Sequence, residues 1–111
     1  MIKDKSFLIV GLGLLGGSMA MGLKKCGHKV YATDIDENAI EYALQHSIID
    51  AGSTKTDPRL IGKADVIISG LYPSLIVNWI AENQQHIMGR IQFMIQADTI
   101  YISNIIQRSN L

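Results

Sequence analysis

Three glycines spaced G-x-G-x-x-G, Gly11, Gly13 and Gly16, are followed roughly twenty residues later by an acid, Asp34. Residue types in this arrangement can hold a pyrophosphate and a ribose. Gly11 permits a tight turn out of a strand. Gly13 lets backbone approach a phosphate with no side chain between, and Gly16 lets the next helix pack closely on that strand. The helix start then aims unpaired N–H groups and the positive end of its dipole at the phosphates. At Asp34 a carboxylate would accept hydrogen bonds from the hydroxyls of an adenosine ribose and repel a 2′-phosphate, so the expected cofactor is NAD rather than NADP. No arginine stands directly after Asp34 to reverse that preference.

The pattern means little without elements that position it. Residues 7–10, "FLIV", read as a buried strand, and residues 14–25 as a helix with Gly27 as its stop. "KVYAT", residues 29–33, is the next strand and ends at Asp34. Asp36 is a good N-cap for a second helix, with Ile40, Ala43 and Leu44 on one face. Ile48 and Ile49 suggest a short third strand, followed by a polar loop, "DAGSTKTDPRLIGK". Residues 64–71, "ADVIISGL", form another buried strand, and Pro73 and Ser74 open a third helix over about 74–85. Apolar strands alternating with helices predict an α/β fold, a Rossmann-type doubly wound parallel sheet covered on both faces, as one domain over residues 1–111. In that context a purely structural glycine turn is the weaker reading.

Ten basic and ten acidic residues balance, which gives no reason to expect nucleic acid or an anionic surface as partner. Cys26 is the single cysteine, so neither a disulfide framework nor a cysteine metal site is expected, and a reducing cytoplasmic setting is the default. Lys3 and Lys5 ahead of residues 7–23 imitate a signal peptide, but five glycines in the run weaken any spanning helix, and no membrane partner is expected. His28, His46 and His86 read as solvated rather than catalytic, and Asp36, Glu37 and Glu41 as a cap and a solvated helix face. Cys26 reads as packed, and Trp79 with Ile76 and Ile80 as a buried helix face or part of an interface.

"FLIVGLGLLGGSMAMGLKKCGHKVYATD" resembles the amino-terminal segment of the prephenate dehydrogenases of tyrosine biosynthesis, through the doubled glycine and serine Gly16, Gly17 and Ser18. "ENAIEYALQHSIID" and "KADVIISGLYPSLIVNWI" resemble the family's second helix and its fourth strand and following helix, so the likeness runs over residues 7–87. It implies that Gly11, Gly13, Leu14, Leu15 and Gly16 cradle the pyrophosphate, that Asp34 holds the adenosine ribose, and that Gly70, Leu71 and Tyr72 line the path to the nicotinamide. It further implies oxidative decarboxylation of prephenate to 4-hydroxyphenylpyruvate with hydride transfer to NAD. The histidine and arginines of that chemistry lie in later segments and in a helical dimerisation domain, through which the full-length family forms homodimers. None of His28, His46 or His86 matches the catalytic motif, so the chain is expected to be an inactive cofactor-binding fragment without catalytic or metal residues. An arogenate or 3-hydroxyacid dehydrogenase, or a non-catalytic nucleotide-sensing module of a potassium channel or transporter, is the alternative.

The tail departs from the family. Residues 90–102, "RIQFMIQADTIYI", lack its aspartate-ended strand and turn, which a two-base shift of reading frame restores, whereas "SNIIQRSNL" resembles the next helix. A local frame shift over residues 89–101 is therefore expected, to be checked by resequencing. As it stands, "IQFMI" is apolar enough to form the fifth strand.

Overall fold

A computed structural model describes residues 5–71, 73–87, 93–96 and 101–104. Its elements follow in the order β1 (Ser6–Val10), α1 (Leu14–Lys25), β2 (Lys29–Thr33), α2 (Glu37–Gln45), β3 (Ala51–Ser53), α3 (Pro58–Lys63), β4 (Val66–Ser69), α4 (Pro73–Ile87), β5 (Phe93–Gln96) and β6 (Tyr101–Asn104). They build one six-stranded sheet in the order β3-β2-β1-β4-β5-β6. The first five strands are parallel and β6 is antiparallel to β5.

The central strands β1, β2 and β4 are largely apolar because both faces of the sheet are covered there. Phe7 and Ile9 of β1, Val30 and Ala32 of β2 and Ile68 of β4 pack with Ala20 of α1 and Ile40 and Ala43 of α2. Leu8 and Val10 of β1 and Ile67 of β4 face the other way, onto Leu60 and Ile61 of α3 and Ile76, Trp79 and Ile87 of α4. Trp79 and Ile76 thus form the buried helix face expected of them.

α1 ends as expected, with Cys26 as C-cap and Gly27 at φ +88°. The Asp36 carboxylate caps α2 by accepting from the N–H groups of Asn38 and Ala39.

Several expectations need correction. The third strand is Ala51–Ser53 rather than Ile48 and Ile49: Ile49 is buried beneath α2, and the small residues after it carry the ladder. The supposed polar loop also holds α3, whose N-cap Asp57 accepts from Arg59 N–H and is followed by proline at the first helical position. Leu44 is 42% exposed, off the face that Ile40 and Ala43 bury. Cys26 is exposed rather than packed. His28 is half-buried, with its ring edge-on to Phe7 at 5.1 Å and Nδ1 buried without a hydrogen-bond partner among the described residues. At the tail, β5 takes Phe93, Met94 and Ile95 of "IQFMI" together with Gln96, but residues 103 and 104 belong to β6 rather than to a helix; the remainder of that expected helix lies outside the described residues. Among the described residues no helix is long and apolar enough to cross a membrane.

Candidate functional site

Register places the candidate residues in one row. Val10 of β1 pairs with Thr33 of β2 and Ser69 of β4, and Thr33 pairs with Ser53 of β3. Gly11, Asp34, Thr54 and Gly70 therefore all leave the sheet at its carboxyl edge, one step past the last paired residues. The ladder runs on into that row: Gly11 N–H donates to Thr33 O at 2.8 Å, Asp34 N–H to Ser53 O at 3.2 Å and Gly70 N–H to Val10 O at 2.7 Å. From β1 the chain runs outward to β2 and β3 and then crosses back to β4 on the other side of β1, so the strand order reverses there, and the crevice at such a reversal is where open α/β sheets bind ligands.

Each glycine of the turn has its own reason. Gly11 sits at φ +92°, a conformation that L side chains rarely adopt. A Cβ on Gly16 would stand 2.2 Å from Gly11 O and 3.2 Å from Ile9 Cγ2, so only glycine lets α1 start this close to β1. Gly70 is constrained by the same carbonyl, with 2.5 Å between its would-be Cβ and Gly11 O. Gly13 differs: nothing lies within 4 Å of its Cβ position. It is the N-cap of α1, which has no side-chain cap and no acid in its first turn, so the positive helix end is left open. The backbones of Leu14 and Leu15 form the start of that helix.

Asp34 is half-buried, and its carboxylate holds the two loops together. Oδ2 accepts from Leu12 N–H at 2.7 Å, inside the glycine turn, and Oδ1 from Asp36 N–H at 2.9 Å, at the start of α2. A carboxylate has about four lone-pair positions, so about two remain for a ligand.

Beside Asp34 opens a cleft of about 530 Å³. Its floor is Val10, Gly11, Thr33 and Asp34, one wall is Thr54, Lys55 and Thr56, and the other comprises Leu71, Leu75, Asn78, Trp79 and Glu82. Ile35, 94% exposed, stands at its edge. The sequence reading placed Gly11, Asp34 and Leu71 at the site and all three line this cleft; Tyr72 lies outside the described residues. It missed the wall of residues 54–56, because β3 was placed too early for the loop after it to be recognised as part of the carboxyl edge. It also missed the polar groups of α4, and Trp79 was read as core or as part of an interface rather than as cleft wall.

The histidines stand elsewhere. In parallel βαβ units, helix starts share the carboxyl edge with strand ends, and helix ends lie at the opposite edge. His28 follows the end of α1, His46 is the C-cap of α2 and His86 lies in the last turn of α4. All three therefore lie away from Gly11 and Asp34.

The family model described as the NAD binding domain of 6-phosphogluconate dehydrogenase matches residues 6–110. Among solved structures, the arogenate dehydrogenase of Synechocystis superposes with a TM-score of 0.69 at 24% identity, covering 81% of this chain and 32% of that one. The prephenate dehydrogenase of A. aeolicus, solved with hydroxyphenyl propionate and NAD+, gives a TM-score of 0.64 at 27% identity over 86% of this chain and 34% of that one. Among curated proteins, the Ktr system potassium uptake protein A of Bacillus subtilis (strain 168) is 43% identical over 62 residues, 53% of this chain and 28% of its own length. The chain thus spans about a third or less of each of these relatives.

Proposed function

The chain belongs to the family of the NAD-binding domain of 6-phosphogluconate dehydrogenase, and we propose that it is the cofactor-binding part of a prephenate dehydrogenase. NAD is its cofactor, and an NAD-binding domain of the dehydrogenase type is its biochemical class. The residues fit that cofactor, and the observation that carries the fit is the open space at Gly13. Gly11, Gly16 and Gly70 are required by the chain's own backbone, whereas Gly13 is not, and a phosphate lying across the start of α1 supplies the missing reason.

In this reading the backbone of Gly11, Gly13, Leu14, Leu15 and Gly16 holds the pyrophosphate, and the free lone pairs of Asp34 take the adenosine ribose. The adenine then occupies the cleft between Ile35 and Leu71, with Trp79 in its wall. Gly70, Leu71 and Tyr72 lead from there towards the nicotinamide. NAD, when bound, accepts a hydride from the substrate. The chain's own part is to fix the cofactor along the carboxyl edge. Calorimetric titration with NAD and NADP, with Trp79 fluorescence as a second signal, tests this assignment. NAD is expected to bind more tightly, and tighter NADP binding, or binding of neither, overturns the role given to Asp34.

The choice of prephenate rests on "GLGLLGGS" and "GLYPS" together with the likeness to the A. aeolicus enzyme. Assaying the gene's full product for NAD reduction with prephenate and with arogenate separates the two substrates. The match to the potassium uptake protein favours a second reading, a nucleotide-sensing module of a transport system. For that reading the full product reduces NAD with neither substrate, and NAD alters potassium uptake instead.

A further inference from the structure

The geometry points to Lys55 as the residue that sets how strongly the cleft rejects a phosphate on the adenosine ribose. This rests on the placement of that ribose at Asp34 proposed above. The preference read from sequence considered only the neighbours of Asp34 along the chain, where no cation follows. The sheet brings one from elsewhere. Thr33 pairs with Ser53, so Thr54 emerges beside Asp34 and Lys55 beside Ile35, at the lip where the ribose hydroxyls would point.

The loop is held in that position. Lys55 N–H donates to Ser53 Oγ at 3.1 Å, and Asp34 N–H to Ser53 O, so residue 55 is anchored to the strand end that presents the carboxylate. Lys55 is the one cationic residue among the described residues that line the cleft, and none of the ion pairs among the described residues includes it. Against it stand Asp34 and Glu82 in the lining, and Asp36 and Glu37 at the start of α2.

A 2′-phosphate dianion therefore meets carboxylate repulsion and the attraction of one solvated ammonium. Two unit charges several ångströms apart in water interact weakly, but a dianion doubles the effect, which amounts to roughly fivefold in affinity at ordinary salt. Lys55 thus makes the site less exclusive for NAD than Asp34 alone would make it, and the discrimination is a balance across two strand ends.

Adenosine 5′-monophosphate and adenosine 2′,5′-bisphosphate differ only in the disputed phosphate. Their dissociation constants are measured by calorimetry for the unaltered chain, Lys55→Ala and Lys55→Arg, each also in an Asp34→Asn background where the bisphosphate is no longer repelled by that carboxylate. Lys55→Ala is expected to raise the ratio of bisphosphate to monophosphate constants about fivefold, and Lys55→Arg to keep it near the original, with the difference shrinking as salt rises. A ratio that moves less than about twofold in both backgrounds, while the monophosphate binds normally, overturns the assignment of Lys55 and leaves the cofactor reading intact. Failure of the monophosphate to bind the unaltered chain overturns the cofactor reading, and the role of Lys55 with it.

Discussion

At the scale of single residues, Gly13 and Gly16 look alike in the motif but answer to different neighbours. An alanine at 16 would place its Cβ against the Gly11 carbonyl, a fixed backbone atom that must move. The helix-propensity gain of up to about 1 kcal/mol is outweighed by overpacking, and Gly16→Ala should cost about 2 kcal/mol of stability in urea unfolding. An alanine at 13 meets nothing in the chain. Gly13→Ala should stay within about 1 kcal/mol of the original stability. Its NAD affinity should fall on the order of tenfold or more, because the methyl group stands where the phosphate approaches. Equal losses of stability in the two variants, or unchanged binding in Gly13→Ala, would remove the argument that Gly13 is kept for a ligand. Asp34 combines both kinds of role, since the carboxylate offered to the ribose also ties Leu12 to Asp36.

At the scale of elements, one ion pair fastens the end of α1 to the connection between α2 and β3. Lys24 Nζ lies 2.7 Å from Asp50 Oδ1, and Asp50 Oδ2 accepts from Val30 N–H at 2.8 Å. Burial pushes the Asp50 carboxyl up, but the Lys24 and Val30 hydrogen bonds and the charges of Lys24 and Lys29 outweigh it and hold the group below its ordinary value of 3.8. A carboxyl with a lowered folded pKa contributes stability that is present above its unfolded value and is lost as pH falls through the folded one. Asp50→Asn keeps an acceptor for Val30 N–H and removes the charge, so it should cost about 1 kcal/mol near neutral pH. The difference should fade as pH falls below the ordinary carboxyl value of 3.8 in parallel urea titrations; a difference independent of pH would mean that the charge is not what matters. The elements also show what was legible in the sequence. α1 and β2 were read at their observed limits because apolar periodicity, a glycine stop and a terminal acid agree there. β3 and α3 were not. "AGS" has no strand-forming side chains and is held by backbone pairing with β2, while a Cβ at Gly52 would press on the end of the Ile49 side chain at 2.9 Å. The six residues of α3 are too few for periodicity, and only Asp57 followed by Pro58 marked its start. That misplacement hid the wall of the cleft carrying Lys55, whereas the glycine turn and Asp34 were visible as local patterns.

At the scale of the whole molecule, the proposed cofactor touches the turn after β1, the end of β2, the loop after β3 and the start of α4, so it joins both faces of the sheet across its centre. A ligand that binds only the folded chain at a hundred times its dissociation constant adds about 2.7 kcal/mol to the free energy of unfolding. For a domain of this size that corresponds to a rise of roughly 10 °C in Tm, with a smaller rise for NADP at the same concentration. The same experiment bears on chemistry when prephenate or arogenate is added. Each described histidine lies at the edge of the sheet opposite Gly11 and Asp34, so this chain offers no described imidazole to take a proton from a substrate held beside the nicotinamide. The expected outcome is a thermal shift with NAD and no absorbance of reduced cofactor with either substrate. Turnover by this chain would place a catalytic group among its own residues, whereas the absence of any shift would remove the cofactor site on which the fold converges. A shift without turnover separates binding, which the row of strand ends supplies, from hydride transfer, which then depends on residues supplied from outside that row.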